Sequence, residues 1–521
     1  MPIDLPQGIQ PSLASPQEIQ HFQRSAQSGD TTVKTRLAGY DIVVLGNSLL
    51  SATQVTEALE QGDSLSDAVW HLHFAYIRAG HRLARLRYLV EGDVLYISVI
   101  EGHISSVEGP DSLTRYFWEV EGRTFDLPRF EIRRTLANIQ SERLNLNAQS
   151  RYLPVTQDSP ATRLLIEAET TPEKKRSEYS LKLGNPGNRF VGRYFARAEA
   201  LWNTEPAQWK LNANQSLNYD DDADERDGDL QGLQISASSI LPVGLVAAGI
   251  NSTDYRYTSR QGGEFEGEVT QAQILMQEIA FANTRQRNLL TQRLIYVDSR
   301  LEESRSGRTA IEEVYFAAEI GAETTRLLNL WGYQTSLKLR GNLRKGLSEN
   351  AGTLGIENNG VQRDAGFLTF LPAASMEYRF ASGWQFNMEA ESQYADRQVP
   401  EQQQWILGGN ERLHAWLPGS LLGDEGHYLN LEVFTPQYNW RGIIFKPSLF
   451  LEAGTSRFKS GNSELDKTQR AYDAGLSLKM NYGKRWELQL TAAEPLSDPT
   501  LHEQLTEAGE SSLYFNLEYR W

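Results

Sequence analysis

Side chains able to perform catalysis or to hold a metal ion are scattered along this sequence. Its eight histidines, among them His71 and His73 on one predicted helix, lack the spacing of a metal-ligand cluster or of a Ser/His/Asp set. Cysteine is absent, which excludes disulfides and thiolate metal sites. The pair Gly262-Gly263 is typical of a turn rather than of a phosphate-binding loop. The sequence therefore predicts no enzyme, no cofactor and no metal site.

The last nine residues show the clearest pattern, a strict alternation of large apolar and polar side chains. The apolar positions are Leu513, Phe515, Leu517, Tyr519 and Trp521. A period of two with unlike faces predicts a strand between two different solvents. A chain ending in this way favours the last strand of an outer-membrane β-barrel, whose apolar face meets lipid. The alternative is the last strand of a soluble sandwich.

Composition narrows these choices. The chain has 521 residues, 40% of them hydrophobic, and a mean hydropathy of -0.49. No apolar run approaches the roughly 18 residues that a membrane helix needs, so a helical membrane protein is excluded, whereas alternating strands are compatible with these values. The net charge of -16 argues against nucleic acid as a partner. The 22 Tyr and 11 Trp fit the aromatic girdles of a barrel.

Alternating segments follow one another from residue 176 to the end. In the segment 384–393 the partners of the apolar side chains are all polar, which suits a watery lumen better than a soluble core. Strands are predicted near 176–184, 191–203, 207–219, 229–241, 244–257, 266–283, 286–300, 309–322, 325–343, 364–380, 383–395, 427–435, 440–453, 470–481, 485–494 and 512–521. The predicted fold class is a transmembrane β-barrel of sixteen antiparallel strands, preceded by two small α/β domains and a short helix.

The first third predicts that helix, over residues 16–28, and two small α/β units. Ser15-Pro16 is a favourable helix start, and Ser51 and Ser64 are candidate N-caps of two later helices. The predicted elements that follow are a strand at 36–46, the two helices, strands at 82–90 and 94–101, a strand at 104–108, a helix from Leu127, and a strand at 163–169. The order β-α-α-β-β thus occurs once clearly and once less completely.

The predicted domains are 1–32 (helix and linker), 33–102, 103–175 and 176–521. The two middle units resemble polypeptide-transport-associated (POTRA) domains, which bind extended chains at a sheet edge. The alternative is a pair of spacer domains. The first residues show no signal peptide, and we expect one to have been removed, since a barrel must cross the inner membrane.

The whole arrangement resembles the two-partner secretion transporters (TpsB-type, hemolysin/hemagglutinin secretion-activation family). The segment His73–Gly80 resembles the end of a helix in their first POTRA domain, and 185–187 with 192–194 resembles their first barrel hairpin. The closest likeness is at 408–416 and 423–428, in the long predicted loop 396–426, where the family carries its signature loop. The resemblance covers nearly the whole chain.

The signature loop departs from the family pattern Val-Arg-Gly-Phe. The aligned residues are Leu413, His414, Ala415 and Trp416, with Arg412 just upstream. The acidic partner in the family is aligned with Glu452, two residues before Gly454. The resemblance implies that residues 408–426 fold into the lumen and that His414 or Arg412 contacts Glu452. A histidine would give a weaker, pH-dependent bond than a bidentate arginine. Alternatively, the lock is lost and the loop only packs through Trp416 and Leu417.

The resemblance also implies a function. The POTRA domains, in the periplasm of a Gram-negative bacterium, would capture an unfolded exoprotein (TpsA-like), which the barrel in the outer membrane would export without ATP. Lipid and, during biogenesis, the barrel assembly machinery would be further partners, with Phe515, Leu517, Tyr519 and Trp521 as the assembly signal. The alternatives are an assembly or insertion factor acting through the barrel seam, and a passive porin. A short tether at 29–32 argues against the N-terminal helix plugging the barrel deeply.

Overall fold

The chain divides into two compact units, one made mainly of Met1–Lys174 and one made mainly of the residues from Lys175 to Trp521. The computed structural model describes residues 3–7, 10–26, 33–156, 159–170, 176–188, 191–217, 228–259, 263–348, 365–460, 466–496 and 513–521. Among these residues, no helix combines the length and the apolar character required to cross a membrane.

The first unit begins with a five-stranded sheet. Its elements are β1 (Ser12–Leu13), α1 (Pro16–Ala26), β2 (Val33–Leu37), β3 (Tyr40–Leu45), α2 (Ala52–Glu60), α3 (Leu65–Arg78), β4 (Arg85–Glu91) and β5 (Val94–Ile100). The strands are ordered β1-β4-β5-β3-β2. The apolar faces of α2 and α3, including Val55 and Leu72, pack on Ile42 and Ile97 of the sheet. This buried layer is the core that holds the sheet and both helices together.

Local sequence signals explain these helices. The Ser51 hydroxyl accepts a hydrogen bond from the backbone N–H of Gln54, and the Gln54 side chain accepts one from the backbone N–H of Ser51. The Ser64 hydroxyl accepts from the backbone N–H of Asp67. The predicted single strand 36–46 is wrong, because the structure has a hairpin there. Ala38 and Gly39 have φ values of 49° and 87° at its turn. An Ala at the first of these positions hides the turn, since glycine or asparagine is the usual signal.

A second, three-stranded sheet completes this unit. Its elements are β6 (His103–Glu108), α4 (Asp111–Thr114), a 3₁₀ turn at Arg115–Phe117, α5 (Leu127–Arg143), β7 (Leu146–Pro154) and β8 (Ala161–Thr170), with the strands ordered β6-β8-β7. Phe117, Phe125 and Phe130 form an aromatic cluster under α5. β7 was not among the predicted strands, because the polar run 149–151 interrupts its apolar side chains, and it forms an edge of this sheet.

The second unit is a closed barrel of sixteen antiparallel strands, which confirms the predicted fold class. Its first eleven strands are β9 (Ser177–Gly184), β10 (Tyr194–Asn203), β11 (Gln208–Leu217), β12 (Asp229–Leu241), β13 (Gly244–Thr258), β14 (Glu264–Ala282), β15 (Gln286–Glu303), β16 (Arg308–Leu330), β17 (Tyr333–Gly346), β18 (Leu368–Arg379) and β19 (Gln385–Ala395). A separate small hairpin, β20 (Trp405–Leu407) and β21 (Leu421–Gly423), follows. The last wall strands are β22 (Glu425–Phe434), continued by β23 (Tyr438–Trp440), then β24 (Ile443–Arg457), β25 (Gln469–Tyr482), β26 (Trp486–Pro495) and β27 (Leu513–Arg520).

Side chains alternate across the barrel wall. On β24 and β25, Leu449, Leu451 and Leu476 are exposed, whereas Glu452 and Asp473 are buried. Because neighbouring residues of a strand point to opposite faces, the exposed leucines lie on the outside and the two carboxylates point to the interior. An apolar exterior and a charged interior are what lipid and a watery lumen respectively require.

One predicted strand boundary is displaced. The expected break between 322 and 325 lies within the continuous strand β16, and the hairpin turn is instead at Trp331 and Gly332, with φ values of 50° and 83°. A tryptophan in the first turn position gives no turn signal. The predicted boundary therefore gives the C-terminal end of this long strand to the next strand.

Candidate functional site

The connection between β19 and β22 folds back into the barrel, and we call residues 396–424 the inner loop. It contains the hairpin β20/β21 and a 3₁₀ turn at Glu401–Gln403. It is slightly shorter than the predicted 396–426, because Glu425 and Gly426 already pair in β22. Its side chains join those of the wall strands in one buried cluster, which includes Trp405, Trp416, Phe450 and Tyr428.

The tip of the inner loop turns through unusual backbone conformations. Gly408 and Gly409 have φ values of 104° and 108°, and Leu413 has a φ of 53°. The N–H of Gly409 donates to the carbonyl of Trp416 at 2.6 Å, and the N–H of Trp416 donates to the carbonyl of Leu413 at 3.0 Å. A Cβ at Gly408 would lie 2.2 Å from the carbonyl oxygen of Leu417, so only glycine fits there.

Glu452 on β24 receives most of the polar contacts of the tip. One oxygen of its carboxylate, Oε2, accepts the backbone N–H of His414 at 2.9 Å and lies 2.7 Å from Nδ1 of the His414 ring. The other oxygen, Oε1, accepts the hydroxyl of Tyr428 from β22. The side chain of Glu452 is fully buried. The structure therefore brings His414 and Glu452 into contact.

A second carboxylate, which the sequence did not point to, holds the next residue of the tip. Asp473 lies directly opposite Glu452 in the register of β24 and β25. Its Oδ2 accepts the backbone N–H of Ala415 at 2.8 Å. Only the register of two separate strands places Asp473 here.

Arg412 has a different partner. Its guanidinium pairs with Glu391 on β19 and lies 5.4 Å from the ring centroid of Trp405 and 5.8 Å from that of Tyr428. Among the contacts of the described residues, Arg412 thus belongs to β19 and the aromatic pair, whereas His414 belongs to Glu452. The two candidates for one role hold the loop at two separate places.

Small residues in the wall make room for the loop. A Cβ at Gly454 would lie 2.6 Å from Cδ1 of Leu413, and one at Gly426 would lie 2.0 Å from Cδ1 of Trp405. Leu413 and Trp416 are fully buried. The glycines of β22 and β24 therefore form a flat seat into which the apolar side chains of the loop pack.

Further carboxylates fix the base of the inner loop. Glu313 on β16 accepts the backbone N–H of Glu401 at 2.9 and 3.1 Å. Asp424 accepts the backbone N–H groups of Val399 at 2.9 Å and Lys459 at 2.7 Å. Sequence reasoning missed Glu313, and it included Asp424 in the family likeness at 423–428 without assigning it a contact. Charged side chains at inward-facing strand positions indicate possible loop contacts. Their partners in the loop are distant in the sequence, so the sequence does not identify them.

The C-terminal strand closes the barrel against β9. Leu513 and Trp521 are exposed, Phe515, Leu517 and Tyr519 are partly buried on the same face, and Trp521 stacks on Tyr179 at 5.9 Å between ring centroids. On the inner face, the hydroxyl of Tyr514 donates to the carbonyl of Trp416 at 2.9 Å. The tip of the inner loop therefore also contacts the strand that closes the barrel.

This closing seam is short and ends in a side-chain clasp. β27 and β9 share five paired positions, against eight between β9 and β10 and seven between β26 and β27. Beyond Gly184, the side chain of Asn185 donates to the carbonyl of Leu513 at 2.8 Å and accepts the N–H of Phe515 at 2.7 Å. The amide of Asn185 thus extends the ladder where the strand itself has ended.

Comparison with known proteins places the chain in a family. The model of the haemolysin secretion/activation protein family ShlB/FhaC/HecB matches residues 162–480. The structure is similar to CdiB from Escherichia coli (TM-score 0.75, 16% identity, 98% of this chain and 99% of that one) and to CdiB from Acinetobacter baumannii (TM-score 0.68, 13% identity, 95% and 91%). No curated protein matches the sequence. Because the family match spans more than half of the chain, this protein belongs to the haemolysin secretion/activation family of outer-membrane two-partner secretion transporters.

Proposed function

We propose that this protein exports an unfolded exoprotein partner through its barrel, from the periplasm to the cell surface, without ATP or a cofactor. The observation that carries the proposal is the inner loop, which occupies the interior of a closed barrel and is held there by non-covalent contacts of its tip. A pore that must stay sealed and yet pass a polypeptide needs such a removable obstruction. Family membership supports the same function.

The contact between His414 and Glu452 acts as the lock of this obstruction. The buried carboxylate of Glu452 accepts two donors of His414 and the hydroxyl of Tyr428. A histidine cannot form the two parallel hydrogen bonds of an arginine, so the lock is weaker in geometry than a bidentate pair. Two further contacts help to hold the inner loop in place. They are the salt bridge between Arg412 and Glu391 and the hydrogen bond from the backbone of Ala415 to Asp473.

Residues 33–102 and 103–175 are proposed to be two POTRA domains in the periplasm. A helix and linker at 1–32 precede them, and the barrel at 176–521 follows. They would capture the exoprotein by adding a strand of it to a sheet edge. The helices packed on small mixed sheets of the first unit support this assignment.

Deletion of residues 33–170 tests the capture step. We expect a heat-modifiable barrel that reaches the outer membrane in normal amount but secretes nothing, since the deletion leaves all wall strands intact. The readout is the amount of partner, encoded by an adjacent gene, in the medium of cells that carry the full chain or the deletion. Secretion by the deleted form would contradict the capture role.

The assembly signal has its own test. We propose that Phe515, Leu517, Tyr519 and Trp521 are recognised by the barrel assembly machinery before they face lipid. Trp521→Ala should then lower the amount of barrel in the membrane fraction. Leu476→Ala provides a control, because Leu476 is an exposed apolar residue of the same exterior surface on another strand. Equal abundance of both variants would count against the signal.

The short seam favours one second candidate, an assembly or insertion factor that opens between β27 and β9. A disulfide across the seam separates the two functions, and the chain has no cysteine of its own to interfere. Lys182→Cys with Glu518→Cys joins two paired positions. Secretion by the oxidised variant supports export through the pore, whereas loss of secretion that reductant restores supports opening of the seam.

A further inference from the structure

The first residues of the chain form an N-terminal strap, residues 3–7 and 10–26, on the two sheets of the first unit. We propose that this strap is an exchangeable occupant of a peptide-binding groove between α5 and β7. The other ligand of the groove is an extended segment of the secreted polypeptide that carries an aliphatic side chain. The inference rests on the proposed secretion function and adds the site and the regulation of its capture step.

The α5 side of the groove binds the backbone of Ile3. Its N–H donates to Oδ1 of Asn138 at 2.8 Å, and its carbonyl accepts from Nη1 of Arg134 at 2.8 Å. Arg134 is oriented by a salt bridge of 2.7 Å to the buried side chain of Glu131. The Ile3 side chain is fully buried, so the groove includes a closed apolar pocket.

The β7 side binds the backbone of the next residue. The N–H of Asp4 donates to the Ser150 hydroxyl at 2.9 Å, and its carbonyl accepts from Ser150 at 3.2 Å and from the Tyr152 hydroxyl at 2.7 Å. Burial raises the pKa of Tyr152, which keeps this hydroxyl protonated and able to donate. The Asp4 side chain itself is exposed.

These contacts define the ligand. All four backbone polar groups of Ile3 and Asp4 are bonded, and backbone groups are the same in every sequence. Such a groove accepts any extended peptide whose first side chain fits the apolar pocket and whose next side chain can face solvent. An unfolded exoprotein offers many segments of this kind, so the strap and the exoprotein would compete for one site.

The strap is held a second time, on the first sheet, by a short ladder. Ser12 and Leu13 pair in parallel with Arg87 and Tyr88, and the N–H of Ala14 donates to the carbonyl of Tyr88 at 2.9 Å. Ser15 and Pro16 then begin α1, so the ladder stops after two of the seven residues of β4. Val90, further along that edge, is exposed. A longer incoming strand can therefore pair beside the strap first and displace it stepwise.

Helix α1 completes the attachment. Glu18 pairs with Arg87, and Ile19 is buried. Since Leu86 and Tyr88 face the α2/α3 layer, Arg87 and with it α1 lie on the opposite face of the sheet. The Ser15 N–H, which donates to the Glu18 carboxylate at 2.6 Å, helps to hold the pKa of Glu18 below its ordinary value. The strap thus covers an edge and a face that capture would need.

Peptide binding to the full-length protein in detergent tests the exchange. The probe is a fluorescent peptide with the sequence of residues 1–14, and its affinity is measured by fluorescence anisotropy. Ile3→Asp should empty the groove and increase the affinity for the probe at least tenfold, because the resident competitor is removed. Gln10→Asp is the matched control. It introduces the same charge into the same segment at an exposed side chain outside the ladder, and it should bind the probe as the wild type does.

Substitutions within the groove identify the site. Added to Ile3→Asp, Asn138→Ala should weaken probe binding at least tenfold. Tyr152→Phe, which removes a single hydroxyl and keeps the ring, should weaken it several-fold even if Asn138→Ala fails to fold. Equal affinity of the wild type and Ile3→Asp, or no effect of either groove substitution, would overturn the inference.

Secretion by the same variants separates this inference from the function on which it rests. Ile3→Asp should secrete the partner at least as well as the wild type, and Tyr152→Phe should secrete less. If the wild type itself secretes nothing, the secretion function and with it the proposed ligand are wrong, even where the probe exchanges. If secretion is normal but the probe does not bind the Ile3→Asp variant, the proposed groove is wrong and the secretion function stands.

Discussion

The inner loop and the N-terminal strap both lie back on a β scaffold, but they are held by different chemistry. The tip of the loop is fixed by buried carboxylates and by Trp416 in a closed apolar cluster. The strap is fixed by backbone hydrogen bonds to neutral and charged side chains, a two-residue ladder and one salt bridge. Release of the loop leaves buried groups without partners, whereas an extended peptide with an aliphatic side chain can take over the backbone contacts that Ile3 and Asp4 make in the proposed groove. The comparison separates a seal from an occupant.

The largest expected effect comes from the seal. Glu452→Ala leaves the N–H and ring of His414 and the hydroxyl of Tyr428 without their acceptor, at a cost of about 3 kcal/mol or more. We expect the loop to leave the lumen more often, which single-channel conductance in planar bilayers measures as a higher open fraction. An open fraction equal to that of the wild type would show that the packing of Trp416 and Leu417 suffices.

A double-mutant cycle assigns the partners. His414→Ala and Glu452→Ala should couple by about 1–3 kcal/mol in open fraction and in secretion. Arg412→Ala is the matched comparison, since it should couple more strongly to Glu391→Ala, its salt-bridge partner, than to Glu452→Ala. If Arg412→Ala rather than His414→Ala couples to Glu452→Ala, the lock is a salt bridge formed two residues upstream.

Filling the glycine seat should also raise the open fraction, but by less than loss of Glu452. Gly454→Ala places a Cβ where Cδ1 of Leu413 lies 2.6 Å away, and relief of the overlap should cost about 1–3 kcal/mol and raise the open fraction. Gly341→Ala in β17 is the control, because its Cβ would meet Phe370 at an ordinary 3.4 Å. Identical conductance of the two variants would mean that the wall yields at β24.

Loss of the contact between the inner loop and the closing seam should raise the open fraction less than the substitutions above. Tyr514→Phe removes the hydroxyl that donates to the carbonyl of Trp416, and a single hydrogen bond contributes about 1 kcal/mol. We expect a modest rise in open fraction without loss of barrel abundance. Tyr519→Phe, on the outer face of the same strand, should leave conductance unchanged, and a similar rise there would show that the inner contact is not responsible.

The smallest expected effect lies in the scaffold of the strap. Burial lowers the pKa of His73 on α3, because the charged ring is poorly solvated. Because the pKa of His73 is lower in the folded protein than in the unfolded chain, folding is favoured fully at a pH above the pKa of the unfolded chain. This stabilisation is lost as the pH falls through the pKa of the folded protein. Trp70 packs edge-on against His73, so Trp70 fluorescence during urea unfolding at pH 7 and pH 5 should report a loss that His73→Asn abolishes. His71→Asn, on the same helix, should retain it.

Period-two patterning predicted the wall strands from the sequence, because lipid and lumen impose opposite demands on alternate residues. It failed at Trp331 and Ala38, where positive φ occurs without a glycine in the first turn position, and at β7, where the polar run 149–151 interrupts the apolar side chains. His414 and Glu452 were identified only by family resemblance. Asp473, Glu313 and the groove for Ile3 depend on contacts between distant parts of the chain, and local pattern contains no information about such contacts.

Asn185 has a consequence for how the barrel closes. When the first and last strands meet, a slip of one residue would turn the leucines and aromatics of β27 towards water and its charges towards lipid. The alternation of these side chains sets the register, because the amide of Asn185 meets only backbone groups, the carbonyl of Leu513 and the N–H of Phe515, which a shifted strand would also offer. Asn185 therefore strengthens the end of the closing seam, where one side chain supplies the hydrogen bonds of a further strand pair, and leaves the choice of alignment to the two faces of β27.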